Sequence, residues 1–279
     1  MSHAPGGPVL VTGCSSGIGR ATASALARAG HSVYATARRP ETLGELEAAG
    51  LHVLALDVTS EESMVAAVGT IEAEHGRVGA LVNNAGYGEY GTIEETDLEK
   101  VRTMFETNVF GLSRMTQLVL PAMRAAGEGR IVNVGSMGGR FTFPVGGYYH
   151  ATKHAVEALS DALRNEVRGF GIGVSLIEPG LIRTGFAGTA LSSGAAAAQG
   201  SSPYAGLLAA SAGNTTGGYG NRLVSAGPEA VAKVVRRAIE SSHPRPRYVV
   251  TPTARALIAT RRFGGDRLWD LMMRAQFGS

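Results

Sequence analysis

Apolar residues fall along this chain in two alternating rhythms. Short runs rich in Val, Leu and Ile occupy residues 9–12, 32–37, 51–56, 79–83, 130–134, 174–177 and 247–251. Longer stretches with helical spacing lie between them, at 17–29, 98–125, 149–168 and 228–241. Thr59-Ser-Glu-Glu62 matches a capping box that would open a further helix. Gly30 stands where a C′ residue would end the first one. Several short runs, such as Val9-Leu-Val and Ile131-Val-Asn-Val, are apolar on both faces, as parallel strands covered on each side are. The pattern predicts an α/β fold: a doubly wound, parallel sheet of about seven strands with helices on both faces, with no domain boundary between 1 and 279.

Two segments depart from the alternation. Residues 186–222 are rich in Ala, Gly, Ser and Thr and read as a flexible lid over a substrate. Residues 254–279 read as a C-terminal helical extension of two short amphipathic patterns separated by Gly264-Gly265, packed on the body or on a partner subunit.

Composition narrows the classes. A chain of 279 residues can bury a sizeable core without staples. The one cysteine, Cys14, forms no intramolecular disulfide and reads as a small filler, and no metal-ligand cluster is visible. Residues 1–8 lack the basic and apolar regions of a signal peptide, and no apolar run reaches transmembrane length. A cytoplasmic enzyme without a membrane role is therefore expected. The net charge of +3 invites a nucleic-acid reading. However, the 26 basic residues, all Arg except Lys100, Lys153 and Lys233, are scattered in ones and twos, so no nucleic-acid partner is expected. Glycine is in excess, at 39 residues, so its placement matters.

The first short run leads directly into Thr12-Gly-Cys-Ser-Ser-Gly-Ile-Gly19. Glycines between a strand and a helix let backbone amides approach a pyrophosphate at the helix N-terminus. Further on come Asn83-Asn-Ala-Gly86, Asn108, Ser136, Tyr149-x-x-x-Lys153 and Pro179-Gly180. With these motifs in this order and at these spacings, the chain resembles the short-chain dehydrogenase/reductase family from residue 9 to about 251. A softer likeness, carried by residues 135–140, 149–154 and the basic tail, is to its hydroxysteroid and retinol dehydrogenase-like branch.

The resemblance implies a Rossmann-type domain and a catalytic tetrad of Asn108, Ser136, Tyr149 and Lys153. In it Tyr149 would act as general acid/base, Ser136 would polarise the same oxygen, Lys153 would hold the nicotinamide ribose, and Asn108 would support a proton-relaying water. Tyr149 and Lys153 stand one helical turn apart, where an ammonium is expected to lower the phenol pKa. The implied cofactor residues are Gly13, Ser15, Ser16, Gly17, Ile18, Gly19, Asp57, Val58, Asn84, Ala85, Gly86, Tyr149, Lys153, Pro179, Gly180, Ile182 and Thr184. Asn83 reads equally as a structural amide. The second run ends in Arg38-Arg39 with no carboxylate, which favours the 2′-phosphate of NADP over NAD, with Arg38 as the main contact and Arg39 as a second.

Tyr90, Met137, Phe143, Tyr148 and Phe186, with Tyr87 and Phe141 nearby, would line an apolar substrate pocket, while Arg140 would face solvent. The expected activity is NADP(H)-dependent hydride transfer with an apolar ketone, aldehyde or secondary alcohol, in a homodimer or homotetramer. The alternatives are an inactive NADP-sensing regulator, or an epimerase or dehydratase on the same fold.

Overall fold

In the computed structural model, which describes residues 5–186 and 202–278, the short apolar runs become strands. These are β1 (Val9–Val11), β2 (Val33–Ala37), β3 (His52–Ala55), β4 (Ala80–Asn83), β5 (Gly129–Val134) and β6 (Ile172–Glu178). A small separate pair, β7 (Leu181–Ile182) and β8 (Ser225–Ala226), precedes β9 (Arg247–Val249). Seven strands pair in parallel in the order β3-β2-β1-β4-β5-β6-β9. The register sets Leu10 opposite Tyr34 on one side and Leu81 on the other.

Alternate side chains explain why both faces are apolar. Val9, Val11, Ala35, Val82 and Val132 meet Leu26 of α1 (Gly17–Arg28). Leu10, Leu81, Ile131 and Val174 turn the other way, onto Met64, Ile71, Met115 and Val119. Those partners belong to α3 (Glu61–His75) and α5 (Leu112–Ala126), which cover the second face. Each such side chain contributes about 1.5–3 kcal/mol on burial, so a polar replacement at Leu10 or Leu81 would break the sheet–helix contact. The remaining helices are α2 (Gly44–Ala48), α4 (Leu98–Phe105), α6 (Gly147–Glu166), α7 (Ala205–Gly220), α8 (Pro228–Glu240) and α9 (Pro252–Phe277). Val231 and Val235 of α8 complete the first face. No helix among the described residues is long and apolar enough to cross a membrane.

Several local expectations change. The cap of α3 is Ser60, whose hydroxyl accepts from the Ser63 amide at 3.2 Å. Thr59 is instead drawn back to Asp57, its hydroxyl donating to Oδ1 at 2.7 Å. The predicted helix at 98–125 is interrupted by a π-helical turn, Glu106–Gly111, which carries Asn108. Residues 187–201 of the expected lid lie outside the described residues. Its later part forms the regular helix α7, where the composition suggested a loop.

The two C-terminal patterns form α9, bent where Gly265 takes φ 68°. Trp269 packs on Phe141 with ring centroids 4.9 Å apart and donates from Nε1 to the Thr142 carbonyl at 3.2 Å. The extension therefore packs on the body of its own chain, against the loop that follows β5.

Candidate active site

Strand order reverses at β1, whose neighbours are β2 and β4. Loops leaving the C-terminal ends of adjacent strands diverge there and leave a crevice. A cavity of about 1050 Å³ opens at this point.

One end of it is the glycine loop. Gly13 and Gly17 hold left-handed backbone, at φ 73° and 57°. A Cβ on Gly13 would come within 2.8 Å of the Ala85 Cα. Asn84 fastens the loop from the β4 side, donating to the carbonyls of Thr12 at 2.9 Å and Gly13 at 3.1 Å. Ser16 occupies the cap position of α1 without making a side-chain capping bond, which leaves first-turn amides for an outside acceptor. Gly13, Ser15, Ser16, Gly17 and Ile18 all line the cavity. Gly19 does not, because it packs beneath them against the Gly13 carbonyl. A cradle that side chains would fill, at a helix N-terminus, fits the pyrophosphate of a nicotinamide dinucleotide.

Arg38, Asp57 and Val58 line the adjoining wall. Arg39 lies off that wall, since the chain turns away into the 3-10 turn Pro40–Leu43. Asn84, Ala85, Gly86, Pro179, Gly180, Ile182 and Thr184 border the middle of the cavity. Asn83 is buried behind it, donating to Asn133 Oδ1 at 3.0 Å and Thr116 Oγ1 at 3.1 Å, so its amide ties the sheet together. Cys14 is also buried, with its thiol pushed up to about 12, which makes it unreactive packing.

At the other end, Ser136, Tyr149 and Lys153 share the cavity wall. Burial pushes the Tyr149 phenol up to about 12, with the Ser136 hydroxyl drawing it partly back. Burial likewise holds Lys153 down to about 8. The phenol thus lies above its ordinary value, opposite to the lowering expected from the ammonium: desolvation sets the direction, and the opposing pull comes from Ser136. Lys153 Nζ donates to the Val134 carbonyl at 3.0 Å and stands 5.9 Å from the Tyr149 ring centroid.

Asn108 is buried off the wall. Its Nδ2 donates to the Tyr87 carbonyl at 2.8 Å and Thr152 Oγ1 at 3.1 Å, and its Oδ1 accepts from the Tyr87 amide at 3.1 Å. The side chain thus clamps the loop after β4 to α6 and does not reach into the cavity.

Tyr87, Tyr90, Met137, Phe143 and Phe186 line the cavity at the Tyr149 end. Tyr149 is sandwiched there, with Tyr90 at 5.7 Å and Phe186 at 5.4 Å between centroids. Tyr148 lies off the wall, its hydroxyl donating to the Ile93 carbonyl at 3.2 Å, because neighbours on a helix point apart. Phe141 turns into the aromatic cluster with Trp269. Arg140 does not face solvent freely but pairs with the buried Glu178 at 3.2 Å.

Several wall residues escaped the sequence reading, among them His150, Tyr219 and Phe277. His150 follows Tyr149 directly, and burial holds its imidazole down to about 4, so it is neutral near pH 7. Tyr219 and Phe277 come from α7 and α9, segments that carry no motif.

The sequence profile described as short chain dehydrogenase matches residues 8–193. The chain is 44% identical over 179 residues to the 3-ketodihydrosphingosine reductase of Bacteroides thetaiotaomicron, covering 64% of this chain and 65% of that protein, just under two thirds of its length. It is 37% identical to the uncharacterized oxidoreductase YbbO of Escherichia coli, over 95% of this chain and 93% of that one. A short-chain dehydrogenase from Streptomyces avermitilis superposes with a TM-score of 0.80 at 34% identity, covering 98% and 97% of the two chains. Two similar structures hold cofactors. One is a serine dehydrogenase complexed with NADP+ (TM-score 0.76, 29% identity, 92% and 97% covered). The other is a Burkholderia phymatum short chain dehydrogenase/reductase with NAD (TM-score 0.80, 27% identity, 98% and 97% covered).

Proposed function

Since this chain belongs to the short-chain dehydrogenase family of oxidoreductases, we propose that it is an NADP(H)-dependent reductase of apolar ketones or aldehydes, working also as the reverse alcohol dehydrogenase. The carrying observation is the shared wall: one cavity joins the glycine cradle and Arg38 to Ser136, Tyr149 and Lys153. The nicotinamide, when bound, supplies the hydride to the carbonyl carbon or takes it back.

Tyr149 gives its phenolic proton to the carbonyl oxygen in reduction, and its raised pKa keeps that proton in place at neutral pH. Ser136 donates a hydrogen bond to the same oxygen. Lys153 and the turn at Pro179-Gly180 would hold the nicotinamide half, with Asp57 and Val58 at the adenine. Bulky rings on three sides of Tyr149 exclude water, and they suit an apolar group on the substrate. A relative named for reducing a keto group on a sphingoid base agrees with that class. The hydroxysteroid and retinol-like branch remains part of the reading through residues 135–140 and 149–154. So do a cytoplasmic setting, a homodimer or homotetramer, and one domain spanning 1–279.

The test is oxidation of reduced nicotinamide, followed by absorbance, with NADPH or NADH against 2-decanone, benzaldehyde, a 3-ketosteroid and 3-ketodihydrosphingosine. NADPH should be the better donor, and equal or faster turnover of NADH would overturn the cofactor assignment. Arg38→Asp removes the guanidinium and adds a repelling charge, so kcat/KM for NADPH should fall about 10- to 100-fold while that for NADH holds or rises. An unchanged NADPH preference in that variant would show that Arg38 does not contact the phosphate.

A further inference from the structure

Resting on the reading that Ser136 and Tyr149 act on one carbonyl oxygen, we infer that His150 is a positioning residue that fixes the direction in which the Ser136 hydroxyl donates. The His150 side chain is buried, and its Nδ1 lies 2.9 Å from the Gly138 carbonyl oxygen. That oxygen can only accept, so Nδ1 carries the proton and the neutral ring is the Nδ1–H tautomer. The other side of the same residue completes the link, because the Gly138 amide donates to Ser136 Oγ at 3.0 Å. One lone pair of Oγ is thus occupied, and the hydroxyl hydrogen is left for an acceptor in the cavity.

The turn Met137–Gly139 that carries this amide contains Gly138 and Gly139, which have little stiffness of their own. The imidazole supplies the stiffness from α6. Its slot is shaped for it: a Cβ on Gly138 would strike Nδ1, and a Cβ on Gly146 would lie 2.8 Å from Nε2. Phe143 and Tyr149 flank the ring at centroid distances of 5.8 and 5.6 Å. Nε2 is buried, and among the described residues it has no hydrogen-bond partner. A ring present only to fill space would be better replaced by an apolar side chain, which leaves no nitrogen unpaired. The hydrogen bond made by Nδ1 is what the histidine contributes.

Two measurements test this. In the 15N NMR spectrum of the histidine-labelled protein, His150 should show the neutral Nδ1–H tautomer, and the Nε2–H tautomer would overturn the inference without any substrate. Asn and Leu have similar shapes, but only Asn can donate to the Gly138 carbonyl. His150→Leu should lower kcat about 10- to 100-fold on the fastest ketone of the panel above, while NADPH Kd stays within about twofold. The primary isotope effect with deuterated NADPH should rise in that variant, because the less polarised carbonyl slows hydride transfer. His150→Asn should restore most of kcat.

A Leu variant within about twofold of the parent kcat, or an Asn variant as impaired as the Leu variant, would overturn the positioning role. If the Leu variant does not fold, His150→Ala takes its place in the comparison with Asn, under the same outcomes. Loss of Ser136 positioning and failure of the reaction assignment are separable. The latter appears as undiminished turnover in Tyr149→Phe, and the tautomer result does not depend on it.

Discussion

Tyr149→Phe should lower carbonyl turnover about a thousandfold or more while NADPH still binds. The substitution removes a single oxygen from a ring held by Tyr90 and Phe186, at 5.7 and 5.4 Å, so the packing around it survives. What disappears is the hydroxyl proposed as the proton donor. In the parent, burial holds the phenol up to about 12, so the donor stays loaded from mildly acid to mildly alkaline pH. Reduction should accordingly show no loss near pH 7 from phenol ionisation, and alcohol oxidation should gain as pH rises. The assay is turnover with NADPH beside a fluorescence titration of cofactor binding. A Phe variant keeping a tenth of the parent rate would remove Tyr149 from the chemistry.

Lys153→Met should also abolish turnover, yet make the protein more stable at pH 7. The ammonium is buried, and its pKa falls from an ordinary 10.5 to about 8 through desolvation alone. That lowering corresponds to about 3 kcal/mol of native-state cost, offset by about 1 kcal/mol for the bond to the Val134 carbonyl. A net gain of about 2 kcal/mol is expected in Met, which keeps the length and loses the charge.

The sign follows from proton binding. Below about pH 8 both folded and unfolded forms carry the proton, and the full cost is present. Between about 8 and 10.5 the unfolded chain binds more protons, so parent stability rises with pH and the Met advantage shrinks. Urea midpoints at pH 7 and pH 10 measure this. A Met variant less stable than the parent at pH 7 would show that the ammonium is better solvated than its burial indicates.

These two residues also show what sequence can and cannot convey. Their spacing places them on one helical face, and the unbroken apolar run Val9-Leu10-Val11 marks a strand covered on both faces. Local chemistry of that kind is written in neighbouring letters. The direction of the pKa shifts was not, because it depends on burial contributed by β5, α7 and the loop after β4. The same limit hid Tyr219 and Phe277, which reach the cavity from distant segments. Arg38 is the expected main contact and Arg39 a second one, and the turn at Pro40–Leu43 takes the second off the wall. Thr59 lost its capping role to Ser60 because Asp57 competes for its hydroxyl. His150 stood in plain view beside Tyr149, and its meaning appeared only with Gly138 against its ring.

The helix that walls the cavity, Ala205–Gly220, carries Gly206, Gly213, Gly217, Gly218 and Gly220 among its 16 residues. Each glycine disfavours the helix by about 1 kcal/mol relative to alanine, through the freedom of the uncoiled chain. Tertiary contacts hold it instead, such as Asn214 Nδ2 donating to the Gln276 carbonyl at 3.0 Å and Leu208 in the interior. The order of this wall is thus borrowed from the neighbours it touches more than supplied by its own residues.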